Sequence, residues 1–424
     1  MIGFQLGREY KLSVAEILVV FPLGKTVYLS NDFLILENLD KEEVLKKANN
    51  LGGTIKVVEI VNSSVASEAE GYEGKFKYGI SIFGEKKNLK SILVGIKKEL
   101  KELGVSSRFI NKDFQNLSSA QILGEKLLKS QTDYNLIFPR LTKEGARGWS
   151  NIREEKLGNY FFGKTIWIQD IFNYSKRDYE KDRDMQTGML PPKLCQMMIN
   201  IASFTLPFLS EGVSFRAREV PEGGWVKTDN QHVIYDPFVG LGTVLIESIL
   251  MGNKSVYGSD LNEKMVEHTK NNIINFCNNE DIKLENLEIV KLNAKFIEES
   301  EFFKKGVDSI VTEGYLGEVM TQNNISLDRI DKQKKSLLEL YDRFFEGLKK
   351  IKYSGNLVIC FPFWEMKGKY IYFIEIYDLL KKYCNIESMY PAYYSEISAT
   401  KAGSLLYKRD KQLVGREIFK LTIK

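Results

Sequence analysis

The sequence predicts an α/β protein in which a doubly wound sheet domain follows a smaller α+β region. Three observations lead to this fold class. A chain of 424 residues is too long for one ordinary core, because domains average about 150 residues. From residue 232 onward, short apolar runs typical of strands alternate with segments of helical spacing, which is the pattern of a doubly wound sheet. Residues 1–140 show shorter and less regular alternation, which indicates α+β structure.

The N-terminal region divides into two α+β parts. In residues 1–75, strands are predicted at 27–29, 33–36 and 55–61, and a helix at 42–49. Residues 76–140 predict strand, helix, strand, helix and strand, at 76–83, 90–103, 107–110, 118–128 and 134–138. Residues 141–190 are rich in charged and aromatic side chains, and we expect them to be a linker.

The C-terminal region, residues 191–424, predicts the doubly wound domain. A helix at 192–204 begins at two prolines, which the first helical turn tolerates, and an irregular insertion is expected at 207–230. Strands are predicted at 232–237, 255–260, 287–291, 308–313 and 356–361. Helices are predicted at 243–251, 262–276, 335–350 and 370–381. Three more strands, at 389–394, 405–407 and 417–423, are expected to close the chain as a hairpin.

Composition excludes several classes of protein and of site. Hydrophobic residues make up 43% and charged residues 27% of the chain, as in globular proteins and unlike disordered or collagen-like ones. The four cysteines form no C-x-x-C element and the chain has two histidines, so we expect no disulfide framework and no metal site. The net charge of +4 permits binding to nucleic acid without requiring it.

The N-terminus shows no targeting or membrane segment. The charged residues Arg8, Glu9, Lys11 and Glu16 interrupt its apolar runs, whereas a membrane span needs about 18 consecutive apolar residues. We therefore expect a cytoplasmic protein with no membrane partner. The sequence does not specify the oligomeric state, and we favour a monomer.

A glycine-rich turn carries the strongest functional signal. The string Asp236-Pro237-Phe238-Val239-Gly240-Leu241-Gly242-Thr243 follows a predicted strand and opens a predicted helix. Glycines there allow a tight turn and close approach of a ligand, and the helix N-terminus offers free amides to an anionic group. Asp260 ends the next strand, where an acid can accept both hydroxyls of a ribose. The third glycine of NAD-binding turns is missing at position 245.

This string resembles the first motif of class I S-adenosylmethionine methyltransferases, in the D-P-F-x-G-x-G-T form of enzymes that methylate exocyclic amines. The resemblance implies a Rossmann-like fold and S-adenosylmethionine as the cofactor, its methionine part held by the turn and its ribose by Asp260. Asn293, where the family more often has Asp, would contact the adenine. The implied cofactor-binding residues are Asp236, Pro237, Phe238, Gly240, Gly242, Thr243, Asp260, Leu261, Asn293 and Ala294. The alternative is a structural turn of an unrelated α/β protein.

A wider resemblance covers nearly the whole chain and is specific from about residue 165 onward. The motifs Q-D, Y-x-x-R-D, G-M-L-P-P-K and M-x-N-x-A within residues 169–202 resemble THUMP-domain tRNA guanine-N2 methyltransferases, and residues 412–418 resemble that family's end. The resemblance implies tRNA as a partner. The domains it implies are a ferredoxin-like region at 1–75, a THUMP-like RNA-binding region at 76–140 and a Rossmann-like methyltransferase domain at 191–424.

The loop after the fourth strand departs from the family pattern, which is D-P-P-Y followed by glycine. In that pattern the acid accepts hydrogen bonds from the target amine and the aromatic ring stacks on the base. This chain reads Thr312-Glu313-Gly314-Tyr315-Leu316-Gly317. Aligned by its flanks, Glu313 takes the place of the acid; aligned by the tyrosine, Thr312 does. We favour the first register, and predict Glu313 and Tyr315 as the catalytic residues.

Four further residues are predicted substrate contacts: Arg177, Lys193, Phe361 and Phe363. The alternatives are a salt-bridged surface for the two cations and plain hydrophobic contacts for the two rings. Together, the motifs predict transfer of a methyl group to the exocyclic N2 amine of a guanine in tRNA. Two other functions stay open. One is an N-methyltransferase acting on rRNA or DNA, and the other is a cofactor-binding, RNA-binding module without methylation activity.

Overall fold

The computed structural model describes residues 1–139, 160–179, 190–203, 232–390, 394, 397, 399–410 and 412–424. These residues form two compact units. The first comprises Met1–Val14 and Phe21–Ser175, and the second comprises Ala15–Val20 and Lys176–Lys424. The insertion predicted at 207–230 lies outside the described residues. Within the described ranges, no helix is long and apolar enough to cross a membrane.

The first four strands of the first unit form an antiparallel sheet. The elements in this part of the chain are β1 (Ile2–Leu6), α1 (Tyr10–Val20), β2 (Lys25–Leu29), β3 (Phe33–Glu37), α2 (Lys41–Ala48) and β4 (Thr54–Ile60). Residues Ala15–Val20 of α1 belong to the second unit. The strand order is β2-β3-β1-β4, and each neighbouring pair is antiparallel. Two β-α-β crossovers joined by a hairpin give this order, which is the ferredoxin-like topology that the resemblance implies. Strand β1 and helix α1 are additional to the elements predicted from the sequence.

The same sheet continues through a second group of elements. They are α3 (Val65–Ala69), β5 (Phe76–Gly84), α4 (Leu89–Glu102), β6 (Ser107–Phe109), α5 (Ser119–Gly124), α6 (Leu127–Ser130), β7 (Asp133–Phe138) and β8 (Phe161–Ile168). The strands follow β4 in the order β8-β7-β5-β6, with β5 parallel to both β6 and β7. The alternation of strand and helix predicted for 76–140 is confirmed.

Strand β8 and helix α7 (Ile171–Tyr179) lie within the range that we expected to be a linker. β8 pairs antiparallel with β4 and β7 and buries Phe161, Phe162 and Ile168. A linker is therefore the wrong description of residues 160–179. Both partners of β8 come from earlier parts of the chain, so no local hairpin signal marks this strand.

The second unit is a doubly wound sheet. Its helices after α7 are α8 (Pro192–Ser203), α9 (Thr243–Leu250), α10 (Glu263–Asn279), α11 (Leu327–Lys350) and α12 (Glu375–Tyr383). Its strands are β9 (Ile234–Asp236), β10 (Ser255–Asp260), β11 (Asn286–Lys291), β12 (Ser309–Thr312), β13 (Asn356–Met366), β14 (Lys369–Ile371), β15 (Cys384–Glu387), β16 (Leu405–Tyr407) and β17 (Val414–Ile423). The segments Ala294–Glu299 and Glu301–Lys305 are 3-10 helical. The strand predicted at 389–394 is not formed at Met389 and Tyr390, and residues 391–393 lie outside the described chain.

The order of the strands places the expected ligand site. The main path of the sheet is β11-β10-β9-β12-β13-β17-β15. Strands β9 to β13 pair parallel with one another, and β17 is antiparallel to both β13 and β15. The order reverses between β9 and β12, and open α/β sheets bind ligands outside the carboxyl ends of the strands at such a point. The Rossmann-like fold class is confirmed.

Helix α11 covers one face of this sheet with an apolar stripe. Leu337, Tyr341, Phe344, Phe345 and Leu348 recur at helical spacing and are buried. Each such side chain contributes about 1.5–3 kcal/mol relative to an exposed position. Because Tyr341 also reaches the loop after β12, the helix that forms the core fixes that loop as well.

Candidate active site

A cavity of 1040 Å³ opens at the carboxyl edge of the second sheet, where the strand order reverses. Its wall comes from the residues that follow β9, β10, β11 and β12, and from the start of β17. The predicted site residues that line it are Asp236, Pro237, Phe238, Gly240, Thr243, Asp260, Leu261, Asn293, Ala294, Glu313 and Tyr315. The geometry thus brings the cofactor motif and the altered loop into one cavity.

The glycine turn between β9 and α9 is fixed by backbone geometry. Gly240 and Gly242 have φ values of 50° and 81°, in the left-handed region that favours glycine. A Cβ atom at Gly242 would lie 2.7 Å from Cγ2 of Thr269 on α10. The Thr269 hydroxyl donates a hydrogen bond to the Gly240 carbonyl. Gly242 therefore shapes the turn without lining the cavity.

Asp260 joins this turn to the end of β10. The Gly240 N–H donates to its Oδ2 at 3.0 Å, and the Asn262 N–H donates to its Oδ1 at 2.8 Å. Each carboxylate oxygen has two lone pairs, so each can accept a further hydrogen bond from a ligand. Asn293, beyond β11, uses its Oδ1 to cap a 3-10 helix by accepting from the Lys295 N–H at 3.0 Å.

Asp236 lines the cavity and is almost fully buried. Burial raises the pKa of its carboxyl to about 7, against hydrogen bonds from the Thr312 hydroxyl and the Phe238 N–H. The nearby carboxylates Asp260 and Glu313 raise this pKa further. Three acids therefore lie close together at the point where β9, β10 and β12 end.

Replacement of Asp236 by Asn is expected to remove a pH dependence of stability. The pKa of Asp236 is raised from 3.8 to about 7 in the folded protein, so protonated Asp236 contributes its full stabilisation at pH values below 3.8. As the pH rises from 3.8 towards 7, the free energy of unfolding falls by about 1.4 kcal/mol per pH unit. Between about pH 5 and 7, the melting temperature of the wild type should fall relative to Asp236→Asn. Parallel melting curves across this window would contradict the assignment.

Glu313 is held by an arginine from the far end of the chain. The Arg416 Nε donates to Glu313 Oε1 at 2.5 Å, and the Arg416 side chain is 4% exposed. Burial raises the pKa of the Glu313 carboxyl, and the positive charge of Arg416 opposes this shift. Arg416 lines the cavity. In the sequence, Arg416 stands out only as part of the string at 412–418 that resembles the family's end, and this resemblance implies no catalytic role for it.

The loop after Glu313 takes a backbone path that a D-P-P-Y loop cannot follow. Gly314, which takes the place of the first proline in the favoured register, has a φ of 69°, whereas proline fixes φ at about −65°. The Tyr341 hydroxyl donates to the Tyr315 carbonyl at 2.9 Å, and the Tyr315 side chain is about half exposed. Thr312 is buried and accepts from the Gly314 N–H through Oγ1. Glu313 thus lines the cavity and Thr312 does not.

The four predicted substrate contacts lie elsewhere. Arg177 donates to the buried Glu247 on α9 at 3.1 Å and therefore supports the packing of that helix. Lys193, on α8, does not line the cavity, and burial lowers the pKa of its ammonium group. Contrary to the prediction, neither Arg177 nor Lys193 lines the cavity.

Phe361 and Phe363 are buried within β13 and cannot stack on a substrate base. Phe361 packs edge-on against Tyr341 with ring centroids 4.9 Å apart, and Phe363 covers Gly415. We expected the strand to end at 361, but it continues to Met366 through Pro362. β12 pairs with β13 only as far as Ile359, so the proline needs no N–H on that side.

A known family model matches about a third of the chain. Residues 225–366 match the family model described as RMKL-like, methyltransferase domain. The predicted class of this domain is thereby confirmed. The matched methyltransferase domain contains the glycine turn, Asp260 and Glu313, and it ends before Arg416.

One curated relative matches about half of the chain. The tRNA (guanine(10)-N2)-dimethyltransferase of Pyrococcus abyssi is 30% identical over 208 residues, which are 48% of this chain and 49% of the relative. The crystal structure of TrmN from Thermus thermophilus covers 100% of this chain and 99% of its own, with 13% identity and a TM-score of 0.46. That of NSun6 from Pyrococcus horikoshii with SFG covers 46% and 48%, with 15% identity and a TM-score of 0.33. The family model and the strand order carry the assignment to the methyltransferase class.

Proposed function

We propose that this protein transfers a methyl group from S-adenosylmethionine to the exocyclic N2 amine of a guanine in tRNA. One observation carries the proposal: the Glu313 carboxylate shares a cavity with the glycine turn and Asp260. The relative from Pyrococcus abyssi supports tRNA guanine as the substrate class, because its name states that activity. A tRNA substrate also fits a cytoplasmic protein.

The residues present fit the proposed cofactor. Asp260 has carboxylate lone pairs available for the ribose hydroxyls, and the turn at Gly240 lets a ligand approach the backbone closely. Leu261 and Ala294 offer apolar contacts beside the Asn293 side chain, where the adenine would lie. When bound, S-adenosylmethionine supplies a methyl group activated by the adjacent sulfonium.

Glu313 would act as the acceptor for the target amine. The lone pair of a guanine amino group is delocalised into the ring, so the amine must be held in line with the methyl group to react. A carboxylate that accepts its N–H bonds orients the amine and stabilises the positive charge that develops on nitrogen. Tyr315, which lines the cavity and is about half exposed, would stack on the base.

The N-terminal unit would bind the body of the tRNA. We propose the ferredoxin-like region at 1–75 and the THUMP-like region at 76–140 for this role, with the methyltransferase domain at 191–424. On the α4 side of that unit, Lys90 lies 5.2 Å from the Phe114 ring centroid and Lys97 lies 5.7 Å from that of Phe109. Lysines beside aromatic rings suit a phosphate backbone with exposed bases.

Methyl transfer to tRNA tests the proposal directly. Unmodified tRNA transcripts would be incubated with labelled S-adenosylmethionine, digested to nucleosides and analysed by mass spectrometry. N2-methylguanosine or its dimethyl form is the expected product. Transfer only to rRNA or DNA would favour the alternative function, an N-methyltransferase that acts on rRNA or DNA. Cofactor and tRNA binding without any transfer would favour the binding module.

Replacement of Asp260 by Asn is expected to weaken cofactor binding. The amide keeps one acceptor oxygen but loses the negative charge, so the Kd should rise about 10- to 100-fold. Isothermal titration calorimetry with S-adenosylmethionine measures this. Glu263→Gln is the matched control, because Glu263 starts α10 nearby and forms an exposed ion pair with Lys291. Equal affinities of the two variants would remove Asp260 from the cofactor site.

A further inference from the structure

The ion pair between Glu313 and Arg416 joins two distant parts of the second unit. Glu313 follows β12 in the methyltransferase core, and Arg416 belongs to β17, opposite Pro362 of β13. The Arg416 side chain is nearly buried and also approaches Gln412 Oε1 at 3.4 Å and the Tyr407 ring at 6.0 Å. A buried arginine with these contacts has a defined orientation, because its planar guanidinium is restrained on several sides.

The altered loop needs such a restraint. It has lost the two prolines of the family pattern, and its acid is one methylene longer than aspartate. A glutamate side chain has an additional rotatable bond and so occupies more rotamers than aspartate. Arg416 engages one oxygen, Oε1. In the described part of the chain, Glu313 Oε2 has no hydrogen-bond partner, and the residue lines the cavity.

We infer that Arg416 is the positioning residue for Glu313, holding Oε1 so that Oε2 is presented to the amine of the substrate. The inference rests on the proposed function for its reaction, but the orientation of the carboxylate is a property of the protein alone. Arg416, on β17, supplies the restraint on the acid that the two prolines supply in the family loop.

The groups around Glu313 set the charge state in which it acts. Arg416 on β17 and Arg409 before it favour the ionised carboxylate of Glu313, whereas burial disfavours it. Asp236 also lies nearby, and the ionised Glu313 raises the pKa of Asp236 in turn. Cys360 on β13 and Tyr341 on α11 lie near enough to interact with Glu313 and are neutral, since burial raises the pKa of both groups. Removal of the Arg416 charge therefore shifts the balance towards the protonated acid.

The test compares Arg416→Gln and Arg416→Lys with the wild type, and uses Arg343→Gln as the matched control. Arg343 lies on the exposed side of α11 and pairs with Glu346. For Arg416→Gln we expect kcat to fall about 100-fold while KM for the cofactor changes little. The acidic limb of the pH profile of kcat should move up by about one pH unit. Arg416→Lys should restore the limb but not the full kcat, because the ammonium keeps the charge and loses the fixed geometry.

A second readout does not need methyl transfer. In protein labelled with 13C at the glutamate side-chain carboxyls, the Glu313 resonance is assigned from its absence in Glu313→Gln. Its titration midpoint should rise in Arg416→Gln and stay near the wild-type value in Arg343→Gln. An unmoved midpoint, or a wild-type pH profile in Arg416→Gln, would overturn the inference. A wild type with the expected titration but no transfer to any tRNA would overturn the proposed function and leave the role of Arg416 supported.

Discussion

Replacement of Glu313 by Gln is expected to lower kcat for methyl transfer by about 100- to 10,000-fold, the range for loss of an acid or base group that acts in the transition state. Gln is nearly the same size, so the cavity keeps its shape. The amide has one neutral acceptor oxygen and two donors, and it cannot stabilise positive charge on the target amine. Single-turnover transfer to tRNA measures the chemical step apart from product release.

Cofactor affinity is the control for this variant. The Gly240 turn and Asp260 are separate from the Glu313 side chain, so the Kd for S-adenosylmethionine should stay close to that of the wild type. Glu313→Asp keeps the charge but withdraws the carboxylate from Arg416, and we expect about 100-fold lower kcat from misplacement alone. Wild-type transfer by Glu313→Gln would remove Glu313 from the mechanism and return the second register, with Thr312, to consideration.

The parts of the site that the sequence predicts correctly depend on local pattern. The string from Asp236 to Thr243 needs left-handed backbone at Gly240 and Gly242, and only glycine adopts it without strain. Asp260 is the last residue of a strand whose five preceding residues are all buried, so its position at the carboxyl edge of the sheet follows from the extent of that strand. Each of these features is encoded within a few consecutive positions, and the structure brings the turn and Asp260 to one cavity.

The parts that the sequence does not predict depend on contacts between distant segments. Arg416 meets Glu313 only because β17 inserts antiparallel beside β13, a pairing that no local pattern reveals. The same insertion buries Phe363 against Gly415 and removes it from the surface. Strand β8 likewise forms only because β4 and β7 leave a place for it between them.

The altered loop combines a departure from the family sequence with contacts from other parts of the second unit. In the register that we favour, E-G-Y-L-G resembles a D-P-P-Y-G motif without its two prolines. In the structure, Tyr341 and Thr312 each fix one backbone group of the loop, and Arg416 fixes its acid. Three side chains from outside the loop therefore restrain it, whereas the prolines of the family loop restrain their own backbone.

Replacement of Gly314 by Pro, which restores a residue of the family pattern, is expected to inactivate this protein. The native φ of 69° is incompatible with the proline ring, and the substitution removes the N–H that donates to Thr312 Oγ1 at 3.1 Å. A Cβ atom at this position would also lie 2.5 Å from the Tyr341 hydroxyl oxygen. The loop must change its path, which displaces Glu313, and kcat should fall about 100-fold or more.

Two further variants separate the causes of this loss. Gly306→Ala is the matched control, since Gly306 has a φ of 85° with open space around its Cβ position and so incurs only backbone strain, about 1–2 kcal/mol. Gly314→Ala adds the clash with the Tyr341 hydroxyl. The double variant Gly314→Ala/Tyr341→Phe removes this clash together with the hydrogen bond to the Tyr315 carbonyl, so it is compared with Tyr341→Phe alone. We expect the melting temperature to fall most in Gly314→Pro, next in Gly314→Ala, and least in Gly306→Ala, with transfer activity lost only at Gly314. A Gly314→Pro protein with wild-type activity and stability would mean that the loop follows the D-P-P-Y path after all, and that Arg416 restrains an acid already held by its own backbone.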